Sequence, residues 1–293
     1  MKEEAHPFKG GRRSLHLLRE SLQRKGSIPV GQSLPCRFFL RRFQMIVDLL
    51  PKIVQEGRRD YGFYPRPSYA GPEQCLRKLA YMAMGVKGEE VEHTAVTLDD
   101  SSWHERHTLE WISKVFRVHS EQLRVTCGIV TWEGRPFPVR GRIDAVITDG
   151  EKKNYLLEHK AVSQYAFERY SKLEVYPLDY LTQCVLYWVG LERVIPLSGG
   201  VLLMKNKNNS HYLEYLFSYD SMSDTVEVKN IGTSNGLSVN PDLKFERLYR
   251  NAMERLRLLE GFRTGELELP ERQYTQTDWQ CQYCQYQKTC REE

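Results

Sequence analysis

Three thiols crowd the end of this chain. Cys281-Gln282-Tyr283-Cys284, then five residues, then Cys290 make a C-x2-C-x5-C pattern in polar, Gln- and Tyr-rich sequence. Thiols so spaced do not read as core fillers, and a bound metal is the economical explanation. A fourth ligand is missing locally. Cys75, within Glu73-Gln74-Cys75-Leu76-Arg77-Lys78-Leu79, is the best candidate because it too sits in polar sequence, whereas Cys36, Cys127 and Cys184 fall in strand or helix contexts that read as packing. A ligand set running from 75 to 290 closes a very long loop, so everything between must fold with its two ends together. Four thiolates suit tetrahedral Zn2+ and a [4Fe–4S] cluster equally well by ligand count.

Free thiols need a reducing surrounding. No apolar run approaches the roughly 18 residues of a membrane helix, and the N-terminus lacks the apolar stretch of a secretory signal. The expectation is a soluble, cytoplasmic protein with no membrane partner and no disulfides. The net charge, 42 − 38 = +4, does not by itself imply a nucleic-acid partner. It is unevenly placed, however: residues 1–66 hold 14 Lys/Arg against 6 Asp/Glu. This stretch reads as a basic helical extension, with amphipathic patterns over Arg12–Lys25 and Phe38–Val54. It serves either as a nucleic-acid-facing arm or as a solvated lead-in, and Met45 offers an alternative start. A Pro- and Gly-rich linker, Tyr61–Pro72, separates it from residues 67–293, read as one catalytic domain.

That domain has a mixed α/β pattern. Helices are expected over Glu73–Met84 and Leu98–Val118, the latter offering Trp103, Leu109, Ile112 and Phe116 for packing. Strands follow at Leu123–Thr131, Val139–Thr148 and Asn154–Lys160, with Asp149-Gly150 marking a hairpin between the last two. Helices at Gln164–Ser171 and Pro177–Leu191, strands at Gly200–Lys205 and Tyr212–Tyr219, and a long helix at Asp242–Phe262 complete the pattern.

Chemistry concentrates around Gly141-Arg142-Ile143-Asp144 and Glu158-His159-Lys160. Alternation along a strand puts Glu158 and Lys160 on one side and His159 on the other. Antiparallel pairing through the Asp149-Gly150 turn brings Asp144 beside Glu158, where two carboxylates can share a hard divalent cation such as Mg2+ or Mn2+. Lys160 is then placed to orient water or to neutralise charge on a phosphodiester. Taken alone, an Asp followed by Glu-x-Lys is an ordinary pattern for surface strands. Upstream, His104 in Leu98-Asp99-Asp100-Ser101-Ser102-Trp103-His104-Glu105 is a candidate third ligand, with His107 its rival on nearly the same helix face; a capping or packing role is the plain alternative. Downstream, Gln183 and Tyr187 are four residues apart and share a helix face.

Asp144, Glu158-His159-Lys160 and Gln183-x-x-x-Tyr187, with His104 upstream, resemble the PD-(D/E)XK nuclease superfamily, in particular its RecB-like branch. The likeness spans roughly residues 70–293. It implies a restriction-endonuclease-like central mixed sheet flanked by helices. It also implies a metal held by His104, Asp144, Glu158 and the backbone carbonyl of His159, with Lys160 as the catalytic lysine and Gln183 with Tyr187 supporting the site and touching DNA. Many relatives carry glycine where this chain has Ser101. An early cysteine followed by a late C-x2-C-x5-C is similar to the iron–sulfur members: the AddB subunit of end-resection complexes, CRISPR-associated adaptation nucleases and phage relatives. That resemblance favours a structural 4Fe-4S cluster on Cys75, Cys281, Cys284 and Cys290 over zinc. It also implies single-stranded DNA or duplex ends as substrate, and a helicase or CRISPR integrase as the kind of partner.

Two further groups read as nucleic-acid contacts: Lys205 and Lys207 in Lys205-Asn206-Lys207-Asn208-Asn209, and the Tyr165, Phe167, Arg169, Tyr170 and Lys172 cluster. A polar hairpin loop and a half-buried helix are their plain alternatives. The whole reads as a metal-dependent DNA exonuclease acting on single-stranded or frayed ends; a non-catalytic DNA-gripping scaffold subunit is the competing class.

Overall fold

The computed structural model describes residues 62–89, 94–230, 237–238 and 243–292, together with Val54. Apart from Val54, the helices expected over Arg12–Lys25 and Phe38–Val54 lie outside the described residues, as do Cys36 and Met45. After a 3-10 turn at Pro67–Tyr69 come α1 (Leu76–Ala83), α2 (Thr94–Ile112), β1 (Arg117–Trp132), β2 (Arg135–Thr148) and β3 (Asn154–Val162). Then follow α3 (Gln164–Ser171), α4 (Leu178–Glu192), β4 (Gly199–Asn206), β5 (Tyr212–Asp220), β6 (Thr225–Asn230) and β7 (Leu237–Ser238). The chain closes with α5 (Phe245–Thr264), α6 (Trp279–Gln282) and α7 (Gln287–Glu292).

The strands form one mixed sheet in chain order, β1 to β7. Only β3 and β4 run parallel, and parallel neighbours need a crossover; α3 and α4 supply it. The other pairs are antiparallel, and short turns join β1 to β2, β2 to β3, β4 to β5 and β5 to β6. Glu133 and Gly134 both have positive φ (45° and 74°), the signature of the primed turns that match strand twist, and they close the β1–β2 hairpin. Asp149 builds the β2–β3 turn with its own side chain, whose Oδ1 accepts the N–H groups of Glu151 and Lys153 at 2.9 Å each.

Alternation decides which face each side chain serves. Leu156, Leu202 and Met204 join the larger core, built with α1, α4 and α5; Leu157, Val201 and Leu203 join a smaller one with Leu109 and Ile112 of α2. Helices therefore cover both faces, and β3 and β4 read as almost continuous buried runs. Ten of the fifteen residues of α4 are buried, from Leu181 to Leu191. Among the described residues no helix is long and apolar enough to cross a membrane.

Several boundaries differ from the sequence expectation, among them the start of β1, at Arg117 rather than Leu123. Helix α2 stops at Ile112 rather than Val118, because β1 begins at Arg117 and Val118 packs with the smaller core. Trp103, expected to pack, is 50% exposed. Strand β6 and the Glu133-Gly134 turn were not anticipated.

One glycine on β2 is fixed by packing. A Cβ on Gly141 would lie 2.3 Å from Cε1 of Tyr187 and 2.9 Å from Cγ of Pro67. Gly141→Ala is expected to push the Tyr187 ring off its seat and destabilise the fold by about 1–3 kcal/mol, a loss that thermal denaturation reads directly. An unchanged melting temperature would contradict that packing.

Candidate active site

Asp144, Glu158 and Lys160 meet where the β2–β3 ladder ends. Its last pair is Ala145–Leu157; beyond it the side chain of Asp144 takes over, its Oδ2 accepting the His159 backbone N–H at 2.8 Å. Glu158 and Lys160 point to the α4 face, and Lys160 Nζ donates to Glu158 Oε1 at 2.5 Å. Gln183 Nε2 donates to the same oxygen at 2.8 Å and to the Tyr187 hydroxyl at 3.0 Å. Two elements, β3 and α4, thus converge on one carboxylate. Glu158 is 1% exposed, and its second oxygen, Oε2, is buried without a hydrogen-bond partner.

Two residues at this cluster were missed by sequence reasoning. Glu105 of α2 reaches the edge of the site, and Gln122 of β1 donates to Glu105 Oε1 and, at 3.5 Å, to Asp144 Oδ1. Gln122 faces Asp144 between the pairs Glu121–Ala145 and Leu123–Ile143, and it has a left-handed φ of 56°. For a non-glycine residue that conformation is unfavourable, and such positions gather at functional sites. Glu105 stands next to His104 in Trp103-His104-Glu105; helical geometry alone would have raised it as a candidate, because 105, 109 and 112 share the face that Leu109 buries.

His104 is close enough to bear electrostatically on His159. Its Nε2 is 3.5 Å from Asp100 Oδ1, the other charges it feels are Lys205, Lys207 and His107, and its Nδ1 is buried without a partner. His159 points to the α2 face, as alternation required, and its Nε2 is also unpartnered. Lys205 is 3% exposed on β4 rather than in a solvent loop, with its ammonium 5.7–5.9 Å from the rings of Trp103, Trp111 and Tyr212. Lys207 is tied to α2, at 2.8 Å from Ser101 Oγ and 3.2 Å from Asp100 Oδ2.

Burial dominates the electrostatics. It pushes Glu105 up to about 7, with Asp144 adding to the effect; it raises Asp144, and it drives Glu158 up to about 8. Burial by itself would lower the Lys160 ammonium, but Glu158 and Asp144 outweigh it and hold Lys160 above its ordinary range. Glu158 cannot keep its proton and also hold Lys160 charged. The 2.5 Å contact argues for the ion pair.

A carboxyl whose folded pKa exceeds its unfolded value of about 4.5 favours folding below that value and loses the benefit as pH rises through the folded pKa. Glu105→Gln, compared with the parent in chelator, is therefore expected to leave stability unchanged near pH 5 and to raise it near pH 8. The gain is about 1–2 kcal/mol, discounted for partial exposure. Denaturation curves at the two pH values test this, and a variant less stable at pH 8 would refute it.

The four thiols of the tail pattern form a second site. Cys75 is the N-cap residue of α1; Cys281, Cys284 and Cys290 sit in and around α6 and α7. All four are half-buried and line one cavity, together with Arg77, Lys78 and Arg272. The tail is fastened there: Arg77 donates to the Pro270 carbonyl at 2.8 Å, Glu89 N–H to the Gln285 carbonyl at 2.7 Å, and Tyr81 stacks on Tyr286 at 5.2 Å. The Tyr286 N–H donates to Cys284 Sγ at 3.4 Å. Cys127 and Cys184 are fully buried, as packing thiols should be. Among the described residues no group of three or more His, Cys, Asp or Glu side chains is drawn together tightly enough to hold a single metal ion.

Comparison with known proteins now adds a family. The PD-(D/E)XK nuclease superfamily model matches residues 58–291, and the chain belongs to that superfamily. Its members are phosphodiesterases that commonly use Mg2+ or Mn2+. Among solved structures, the crystal structure of SSO0001 aligns at 12% identity with a TM-score of 0.43, covering 84% of this chain and 94% of that one. No curated protein matches the sequence.

Proposed function

We propose that this protein is a metal-dependent DNA exonuclease of the RecB-like iron–sulfur kind, working on single-stranded or frayed ends in recombination, repair or CRISPR-type DNA processing. The observation that carries the reading is the unpartnered Oε2 of Glu158, buried beside Asp144 and Lys160. A buried carboxylate oxygen without a donor is costly, and a hard cation is a partner that Glu158 and the neighbouring carboxyl group of Asp144 suit. Mg2+ or Mn2+ bound there supplies charge neutralisation at the scissile phosphate and acidifies water.

Asp144 and Glu158 are the ligands, with the His159 carbonyl beside them and His104 as the further ligand that the resemblance implies, and Glu105 stands at the edge of the same site. Lys160 is charged and has N–H groups beyond the one given to Glu158, so it orients water or a phosphate oxygen at the reacting centre. Gln183 holds Glu158 in place and is held in turn by Tyr187. A helicase or CRISPR integrase is the partner class that fits an end-processing nuclease.

For the thiol site, four cysteines that line a cavity without converging on one point suit a [4Fe–4S] cube, several ångströms across, better than a single Zn2+. Arg77, Lys78 and Arg272 around it suit the net negative charge of a thiolate-ligated cluster. Its role is structural.

The direct test is end-labelled single- and double-stranded DNA incubated with Mg2+, with Mn2+ and with chelator. Ladder-free release of mononucleotides or short products from ends, only with metal, is expected. Metal-dependent DNA binding without cleavage would instead support the non-catalytic scaffold.

A further inference from the structure

Helix α2 presents an unusual exposed row. Trp103, His107 and Trp111 recur every four residues; Trp103 stacks on His107, and Trp111 lies tilted against His107 at 55°. Ring centroids lie 5.1 Å apart for Trp103–His107 and 4.5 Å apart for His107–Trp111. Both indoles remain about half exposed, 50% for Trp103 and 46% for Trp111. Behind them sits the buried Lys205 ammonium, 5.9 Å from one indole and 5.8 Å from the other. A cation held against the inner side of a ring withdraws density from it and makes the outer face a better seat for an electron-rich aromatic carrying negative charge.

The row is also well placed. Lys205 follows Met204, which pairs with Lys160 across the parallel β3–β4 ladder. The same helix delivers Glu105 to the active site. Eight residues of helix separate Trp103 from Trp111, a span of about 12 Å. At about 3.4 Å per nucleotide of strand, this accommodates about three stacked bases. Cations border it, with Lys207 tied to the start of the helix and the exposed Lys114 one turn beyond Trp111. Opposing charges are Glu110, 3.4 Å from His107 Nδ1, and, one turn before Trp103, the exposed Asp99 and Asp100, of which Asp100 is engaged by Lys207 and His104.

We propose that the Trp103–His107–Trp111 row is a base-stacking platform for single-stranded nucleic acid leaving the active site. Rings that stack bases beside cations that track phosphates are what strand binding without sequence preference requires. The inference deepens the nuclease reading and rests on it only for the direction in which the strand runs.

The test is equilibrium binding of a fluorescent single-stranded oligonucleotide and of a blunt duplex, in chelator so that no cleavage occurs. Trp103→Ala and Trp111→Ala are each expected to weaken single-strand binding about tenfold while duplex binding changes much less. Trp103→Phe and Trp111→Phe should recover most of the loss, because any ring can stack. Unchanged single-strand affinity in the Ala variants overturns the inference, and so do Phe variants as weak as Ala. Loss of concentration-dependent self-association in the Ala variants, with strand affinity intact, would reassign the row to contact between copies. Single-strand binding that depends on the row in a protein that never cuts DNA would leave the platform standing and remove the nuclease reading.

Discussion

Lys160→Ala is expected to lower the rate of DNA cleavage by about 100- to 1000-fold, the scale seen when one preorganised donor is removed from developing negative charge. Lys160 is the only cation that touches Glu158, at 2.5 Å, and the carboxylates around it hold it charged at any working pH. The variant has a second consequence. It strips the partner from a carboxylate that is 1% exposed, so Glu158 takes up a proton more readily and its hold on a divalent ion weakens. Cleavage by Lys160→Ala should therefore recover somewhat at higher metal concentration and higher pH, whereas a Glu158→Gln variant should respond to neither. End-labelled DNA across a metal and pH grid measures both. Full activity in Lys160→Ala would remove Lys160 from the chemistry and with it the mechanism proposed above.

The parts of this site legible in the sequence are those governed by strand and helix periodicity. Glu158 and Lys160 on one side, His159 on the other, and Gln183 with Tyr187 on one helix face follow from spacings of two and four residues, and each lies where those spacings put it. Gln122 was not legible because its role depends on tertiary placement; Glu105 was within reach of helical periodicity and was passed over. Gln122 matters through the register that sets it opposite Asp144 and through a backbone conformation that no local residue preference announces. Glu105 stood beside a histidine that the family resemblance made more prominent. Lys205 lies in a strand as expected, but its burial was not foreseen, for a related reason. Its neighbours Asn206 to Asn209 look like loop sequence, yet β4 runs to Asn206, and the cation is buried against three aromatic rings rather than offered to solvent. Charge in a polar stretch is weak guidance to exposure when rings from another element can cover it.

With the cluster proposed above, replacing Cys281 and Cys284 together by Ser is expected to cost the protein about 5 kcal/mol, or about 10–20 °C in melting temperature, and to abolish the visible absorbance and iron content that such a cluster would give. The figure follows from topology. A cross-link between Cys75 and Cys281 closes a loop of 281 − 75 = 206 residues, and such closure removes that much conformational entropy from the unfolded chain. It is a large share of an ordinary folding free energy. The native contacts that remain between α1 and the tail, from Arg77 to Pro270 and from Tyr81 to Tyr286, are too few to replace it. Cys75→Ser is the sharper variant, since it leaves the C-x2-C-x5-C group whole and cuts only the link to the front of the domain. It should lose the cluster and nearly the same stability. Cys127→Ala is the matched control: burial lifts that thiol to about 12, so it is inert and contributes only packing. Stoichiometric zinc in a colourless protein, with the same stability loss in Cys75→Ser, would keep the staple and change the metal. A Cys75→Ser protein as stable and as metal-loaded as its parent would separate the two ends of the domain and leave the tail thiols with a different fourth ligand.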